Sequence, residues 1–202
     1  MICFAAVATW LVVQRRYDAA RQVGPFVLLP VVILLFLGGT VLYAPAAPVM
    51  PALQSYWLVV HVTTISVSSG LLLVPGVLSI LYLLRRSGEP AWLLDKLPSA
   101  DALDRLAYRT TIVAFPLFTF AIIAGAIWAE AAWGRFWGWD PKETVAFVSW
   151  VVYAAYLHAR ATAGWRTTRA AWINIVGFAT MIFNLFFINM VVAGLHSYAG
   201  LS

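Results

Sequence analysis

The stretch Trp133-Gly134-Arg135-Phe136-Trp137-Gly138-Trp139-Asp140-Pro141-Lys142-Glu143 sets three tryptophans, a phenylalanine and four charges within eleven residues, between two long apolar segments. Interfacial tryptophan is an ordinary bilayer anchor. Three indoles at spacings of four and two, joined to Gly, Asp and Pro, go beyond anchoring and suggest an aromatic shelf for something flat. The flanking segments, Thr111–Trp128 and Thr144–Ala159, read as membrane spans, so the shelf is the loop that joins them at one surface.

Composition supports this reading along the whole chain. Of 202 residues, 63% are hydrophobic and only 10% charged, far from the balance of a soluble domain. Apolar runs able to cross about 30 Å of hydrocarbon, once their flanks are counted, also occur at Phe26–Tyr43, Trp57–Leu84 and Ala171–Ala193. A further run, Met1–Val13, is too short to span. It has neither a basic leader nor a small-residue cleavage site, so it is a poor signal peptide. It reads as the inner half of an incomplete first helix, with more helices expected upstream. The expected fold is an all-α polytopic membrane protein of about six transmembrane helices, forming a single membrane-embedded domain over residues 1–202.

Charge gives the orientation. Arg15, Arg16 and Arg21 lie in the first loop, Arg85, Arg86, Lys96, Arg105 and Arg109 in the third, and Arg160, Arg166 and Arg169 in the fifth. Basic residues in short loops mark the cytoplasmic side. Ala44–Tyr56, Glu130–Lys142 and the tail from Gly194 then face outward, with the tryptophan shelf among them. The net charge of +5 follows from this topology. No nucleic-acid partner is expected, because the basic residues are divided among three loops instead of gathered on one face. The lone Cys3 excludes an internal disulfide, a Cys-x-x-Cys relay and a cysteine zinc cluster.

Local signals place the helix ends. Asp140 followed by Pro141 reads as a helix cap with proline at the first turn. Ser99 caps an amphipathic segment, Ala100–Tyr108, expected on the inner surface and leading into the next span. Pro45, Pro48 and Pro51 keep Ala44–Ala52 irregular. Asn174, Asn184 and Asn189 are costly in lipid and are expected to satisfy neighbouring helices. Trp57, Trp92, Trp128, Trp150, Trp165 and Trp172 need no role beyond the interface.

The chain has three histidines. His61 falls in the first turn or two at the outer end of its span, and His196 just beyond the outer end of the last span. Neutral imidazole ligates haem iron, and two histidines at the level of the shelf suit axial ligation of a porphyrin held there. On residue type and depth alone, that reading and a pair of independent interfacial polar groups remain equally open. His158 lies about 20 Å below Glu143 at the helical rise, near the cytoplasmic end. It is either a residue snorkelling to the inner interface or part of a second site where haem enters.

The segment Trp133–Thr144 resembles the tryptophan-rich "WWD" signature of the cytochrome c assembly superfamily, and its Asp-Pro-Lys-Glu ending resembles the CcsA/ResC branch of System II. Pro51–Val62 is similar to the segment bearing that family's first outward histidine, Tyr153–Arg160 to the one with its intramembrane histidine, and Gly194–Ala199 to the one with its second outward histidine. The similarity runs from about Pro25 to Ser202. Ser68-Ser69 stands where the family often has Ser-Tyr, and the family's earlier helices are not seen.

The resemblance implies a haem-handling subunit of a cytochrome c synthase. His61 and His196 would ligate haem b at the outer face, and Trp133, Trp137, Trp139 and Asp140 would grip the macrocycle. His158 would be one ligand of an inner site, its partner coming from a CcsB/ResB-type membrane protein. Haem would be presented to the Cys-x-x-Cys-His of apocytochrome c, whose thiols form the bonds, so no residue of this chain is given a catalytic role. The setting would be a bacterial plasma membrane or a thylakoid membrane. The alternative is a CcmC-like transporter or carrier-loading protein, which moves haem without forming thioethers. Lys142-Glu143 and the Leu-His-Ala-Arg setting of His158 favour the synthase branch.

Overall fold

The chain was analysed as a computed structural model, which describes residues 1–41, 51–88, 92, 95–162, 164–165 and 168–196. Pro45, Pro48, Glu89, Pro90, Arg166 and the end of the Gly194–Ala199 segment lie outside these residues. The described residues are mainly helical, without strands. Six principal helices follow in order: α1 (Ile2–Arg16), α2 (Gly24–Thr40), α3 (Tyr56–Ser87), α4 (Ala100–Trp133), α5 (Pro141–Thr162) and α6 (Thr168–Phe183). A 3₁₀ turn (Asp18–Val23) joins α1 to α2. A π-helical turn (Asn184–Ile188) and one last helical turn, α7 (Asn189–Val191), extend α6.

Among the described residues, four stretches are long and apolar enough to cross a membrane: Ala20–Thr40, Tyr56–Ser87, Ala100–Trp133 and Thr168–Ile188. The protein is therefore an all-α polytopic membrane protein. α1 is a 15-residue helix, short as its sequence suggested. α5 covers the expected Thr144–Ala159 span with 22 residues.

α3 is the central helix, packed against α4, α1 and α6. Lipid tails are as apolar as leucine, so close backbone approach carries helix association in a membrane. Ala107, Ala114, Ala121 and Ala124 of α4 are all buried. At Gly70 of α3, a Cβ would stand 2.4 Å from the Ile2 carbonyl oxygen and 2.6 Å from the Ala5 Cβ, so the α1 crossing requires glycine there. The Cys3 thiol is free and faces the Val31 carbonyl of α2 at 3.7 Å.

The expected surface helix before the third long span is not separate. Ser99 does cap it, accepting the Ala102 N–H at 3.3 Å, but the helix then runs unbroken from Ala100 to Trp133. Its first turns are polar on one side because Asp104 pairs with α5. Arg160, assigned from sequence to the fifth loop, instead lies within α5, where it is buried and holds both oxygens of Asp104, with Nη2 to Oδ2 at 2.9 Å. Its guanidinium also lies 4.7 Å from the Tyr108 ring centre. Arg109 bonds the Tyr17 hydroxyl nearby. The basic ends of α1, α4 and α5 thus meet at one end of the bundle, and the Trp-rich loop lies at the other.

Asn174 donates to Thr111 Oγ1 at 3.3 Å and Asn184 to the Lys142 carbonyl at 3.1 Å, the interhelical role expected of both. The Asn189 side chain lies outside the described residues.

Candidate functional site

The loop after α4 ends in a capping box. Asp140 accepts the Lys142 N–H at 3.2 Å, and Glu143 Oε2 reaches back to the Asp140 N–H at 3.1 Å and the Gly138 N–H at 2.9 Å. With Pro141 opening the helix, this satisfies orphan donors at the start of α5 reciprocally. The Asp-Pro-Lys-Glu sequence is therefore first a folding element, one that fixes two carboxylates.

Asp140 does more than cap. Its Oδ1 accepts the Leu195 N–H at 2.8 Å, and its Oδ2 lies 2.9 Å from His196 Nδ1. A carboxylate can only accept, so Nδ1–H of His196 donates and the lone pair sits on Nε2. His61 is held in the same sense: its Nδ1 lies 2.9 Å from the Ala121 carbonyl, which also can only accept. A Cβ on Gly125, one turn after Ala121, would lie 2.8 Å from His61 Nδ1, so glycine opens the room for this ring. With Nδ1 committed to an acceptor in both rings, Nε2 is in each the nitrogen that carries the lone pair. Imidazoles whose other nitrogen donates to a carbonyl or carboxylate are the form in which histidine binds metal.

Both imidazoles line one cavity of about 180 Å³ at the Trp-rich end. Trp128, 2% exposed, lies against both: its ring is 5.9 Å from His61 and nearly parallel to it, and 5.5 Å from His196 and tilted. Trp133 completes the group, 5.1 Å from His196 and 4.8 Å from Trp128. Trp137 and Glu143 also face the cavity, whose floor is apolar, with Phe118 and Met181.

The residues singled out by sequence thus divide. His61, His196 and Trp137 line the cavity, and Trp133 packs against His196 and Trp128 behind its wall. Asp140 stands behind His196 as its orienting group. Trp139 is 68% exposed and meets Trp137 edge-on, outside the cavity wall. Its φ of +58° is left-handed, a conformation uncommon outside glycine. His158 is exposed on α5, well away from the other two histidines. Trp128, read from sequence as an ordinary interfacial residue, is the side chain shared by both imidazoles. Its one available signal was its position five residues before Trp133, and that is weak.

Electrostatics favour a neutral imidazole. Burial pushes the His196 pKa below its ordinary value, and the Asp140 carboxylate only partly restores it. For Asp140, burial alone would raise the carboxyl, but the Leu195 N–H, His196 and the Lys142 N–H outweigh it and hold it below its usual range. A neutral imidazole beside a fixed carboxylate can ligate iron through Nε2 without first losing a proton.

Comparison with known proteins agrees with the motifs. The sequence profile of the family described as "Cytochrome C assembly protein" matches residues 1–196. The "Cytochrome c biogenesis protein CcsA" of Parasynechococcus marenigrum (strain WH8102) is 40% identical over 178 residues, covering 76% of this chain and 58% of that protein. The protein of that name from Chlamydomonas reinhardtii is 43% identical over 156 residues, 76% of this chain and 43% of its own length. That of Synechococcus elongatus is 36% identical over 198 residues, with 76% and 61% covered. The chain spans about half the length of the curated relatives it matches.

Proposed function

The chain belongs to the cytochrome c assembly protein family, in its CcsA/ResC branch, and on that premise we propose that it serves cytochrome c maturation by holding haem b at the outer membrane face. His61 and His196 supply the axial ligands. Trp128, Trp133 and Trp137 bound the macrocycle, and Asp140 holds His196 in register. The cavity of about 180 Å³ takes an edge of the ring, leaving the rest open beside Phe136, which is 60% exposed. That leaves haem accessible to the Cys-x-x-Cys-His of an apocytochrome c.

The observation that carries this reading is the matched state of the two histidines. Each commits Nδ1 to a fixed acceptor, and the two rings face one cavity. The inner site is proposed at His158, whose exposure on α5 suits a second ligand from a CcsB/ResB-type membrane partner. The basic end of the bundle would face the cytoplasm and the Trp-rich end the periplasm or thylakoid lumen.

The test is spectroscopic. The purified chain should carry b-type haem with a low-spin spectrum that His61→Ala or His196→Ala converts or abolishes. Unchanged haem content and spectrum in both variants would refute the ligand assignment. Expression with the membrane partner and an apocytochrome separates the two activities: covalent haem on the client marks a synthase subunit, and its absence with haem retained marks a carrier.

A further inference from the structure

The cavity wall carries two hydrogen-bond acceptors without partners among the described residues, Glu143 Oε1 and Asn184 Oδ1. Buried polar atoms are nearly always paired, so two lone acceptors on one wall call for an occupant that brings donors. The Glu143 side chain is 10% exposed, and its orientation is fixed because Oε2 is held by two backbone N–H groups and faces Arg135 Nη1 at 4.0 Å, which leaves Oε1 as the oxygen turned to the cavity. Asn184 is fixed likewise: its amide nitrogen donates to the Lys142 carbonyl, which turns Oδ1 away from that bond. It opens the π-helical turn, a local widening often found at functional sites.

Asp140, the neighbouring acid, cannot serve in the same way. Its Oδ1 accepts from Leu195, and its Oδ2 from Lys142 and His196. Glu143 therefore has the open carboxylate oxygen on the wall that both histidines share.

We propose that Glu143 carries the proton in thioether formation, an inference that rests on the haem-presenting reading above. Adding a thiol to a vinyl group breaks S–H and the carbon–carbon π bond and forms S–C and C–H bonds. Electrons balance without oxidant or reductant, but the proton must travel from sulfur to the terminal vinyl carbon. Glu143 Oε1 takes it from the client cysteine. The thiolate bonds the vinyl carbon next to the ring, and the protonated Glu143 returns the proton to the terminal carbon as the π pair closes on it. Asn184 Oδ1 accepts a backbone N–H of the incoming segment and so aims the thiol at Glu143.

Glu143→Gln tests this, because glutamine also serves at this position of a capping box. The chain is expressed with its membrane partner and a Cys-x-x-Cys-His apocytochrome, and covalent haem is followed in a single turnover. The variant should keep wild-type haem content and its low-spin spectrum while forming the thioether roughly 10²- to 10⁴-fold more slowly. Thioether formation at the wild-type rate overturns the relay. Loss of bound haem also overturns it, since Glu143 would then be a binding or folding group. A wild-type complex that retains haem but forms no thioether overturns the underlying synthase reading, and the relay with it.

Discussion

Nδ1 of His196 lies 2.9 Å from Oδ2 of Asp140, a contact across 56 residues that pins the end of the last span to the first turn of α5. The same carboxylate accepts the Leu195 N–H. One residue thus starts a helix, closes the tail onto it and sets the tautomer of a candidate ligand.

Asp140→Asn keeps a good helix cap but replaces an anionic acceptor with an amide. Haem affinity should fall about 10- to 100-fold, as for other orienting partners of metal-bound histidine, while thermal stability falls by the smaller amount that loss of the carboxylate's charge costs. Haem titration followed by absorbance, beside a melting curve in detergent, separates the two effects.

Acidification should release haem and destabilise the fold together. His196 and Asp140 both sit below their ordinary values, so the unfolded chain takes up their protons first. The His196 contribution is complete above its ordinary value of 6.5 and is lost as pH falls from there through its lower folded value. The Asp140 contribution is lost only further down, below its ordinary value of 3.8. Melting temperature and haem retention should therefore both drop below about pH 6.5, and a flat profile there would contradict the neutral His196.

Gly125→Ala pits propensity against the site. Alanine favours a helix interior by roughly 0.5–1 kcal/mol, yet its Cβ would come within 2.7 Å of His61 Cε1. The expected outcome is a folded protein with displaced His61 and an altered or absent low-spin haem signal. Circular dichroism and the visible spectrum report on each part.

Removing Arg160 should act on stability alone. Its side chain and that of Asp104 are 4% and 12% exposed, so Arg160→Met leaves a carboxylate stranded at a helix interface. Breaking such a pair costs about 3–5 kcal/mol. The melting temperature should fall sharply while any haem still bound keeps its wild-type spectrum, because the pair sits at the opposite end from His61 and His196.

Trp128→Ala removes a buried indole and should cost about 3–5 kcal/mol, whereas Trp128→Phe should preserve most of that packing. If Trp128 sets the spacing of the imidazoles, both variants shift the haem spectrum, the phenylalanine less. A wild-type spectrum in Trp128→Ala would reduce this residue to packing.

Much of the molecule was legible in local sequence. Apolar runs longer than a bilayer needs gave the spans, and Ser99 and Asp140-Pro141 marked two helix starts, because capping depends on residues within one turn. The tryptophan cluster and the order of the histidines were enough for the family. What sequence could not supply was contact between distant segments. His61 meets Ala121 across 60 residues and His196 meets Asp140 across 56, and neither pairing leaves a mark on the periodicity of its own helix. Helix packing alone decided that Trp128 would be shared by both rings, that Trp139 would turn outward, and that Asp140 would hold a histidine. It also left one oxygen of Glu143 unpaired on the cavity wall. Those outcomes depend on which faces of α3, α4 and α5 meet. In an apolar solvent that choice rests on close contacts at residues such as Gly70 and Gly125, whose importance appears only once the neighbouring helix is in place.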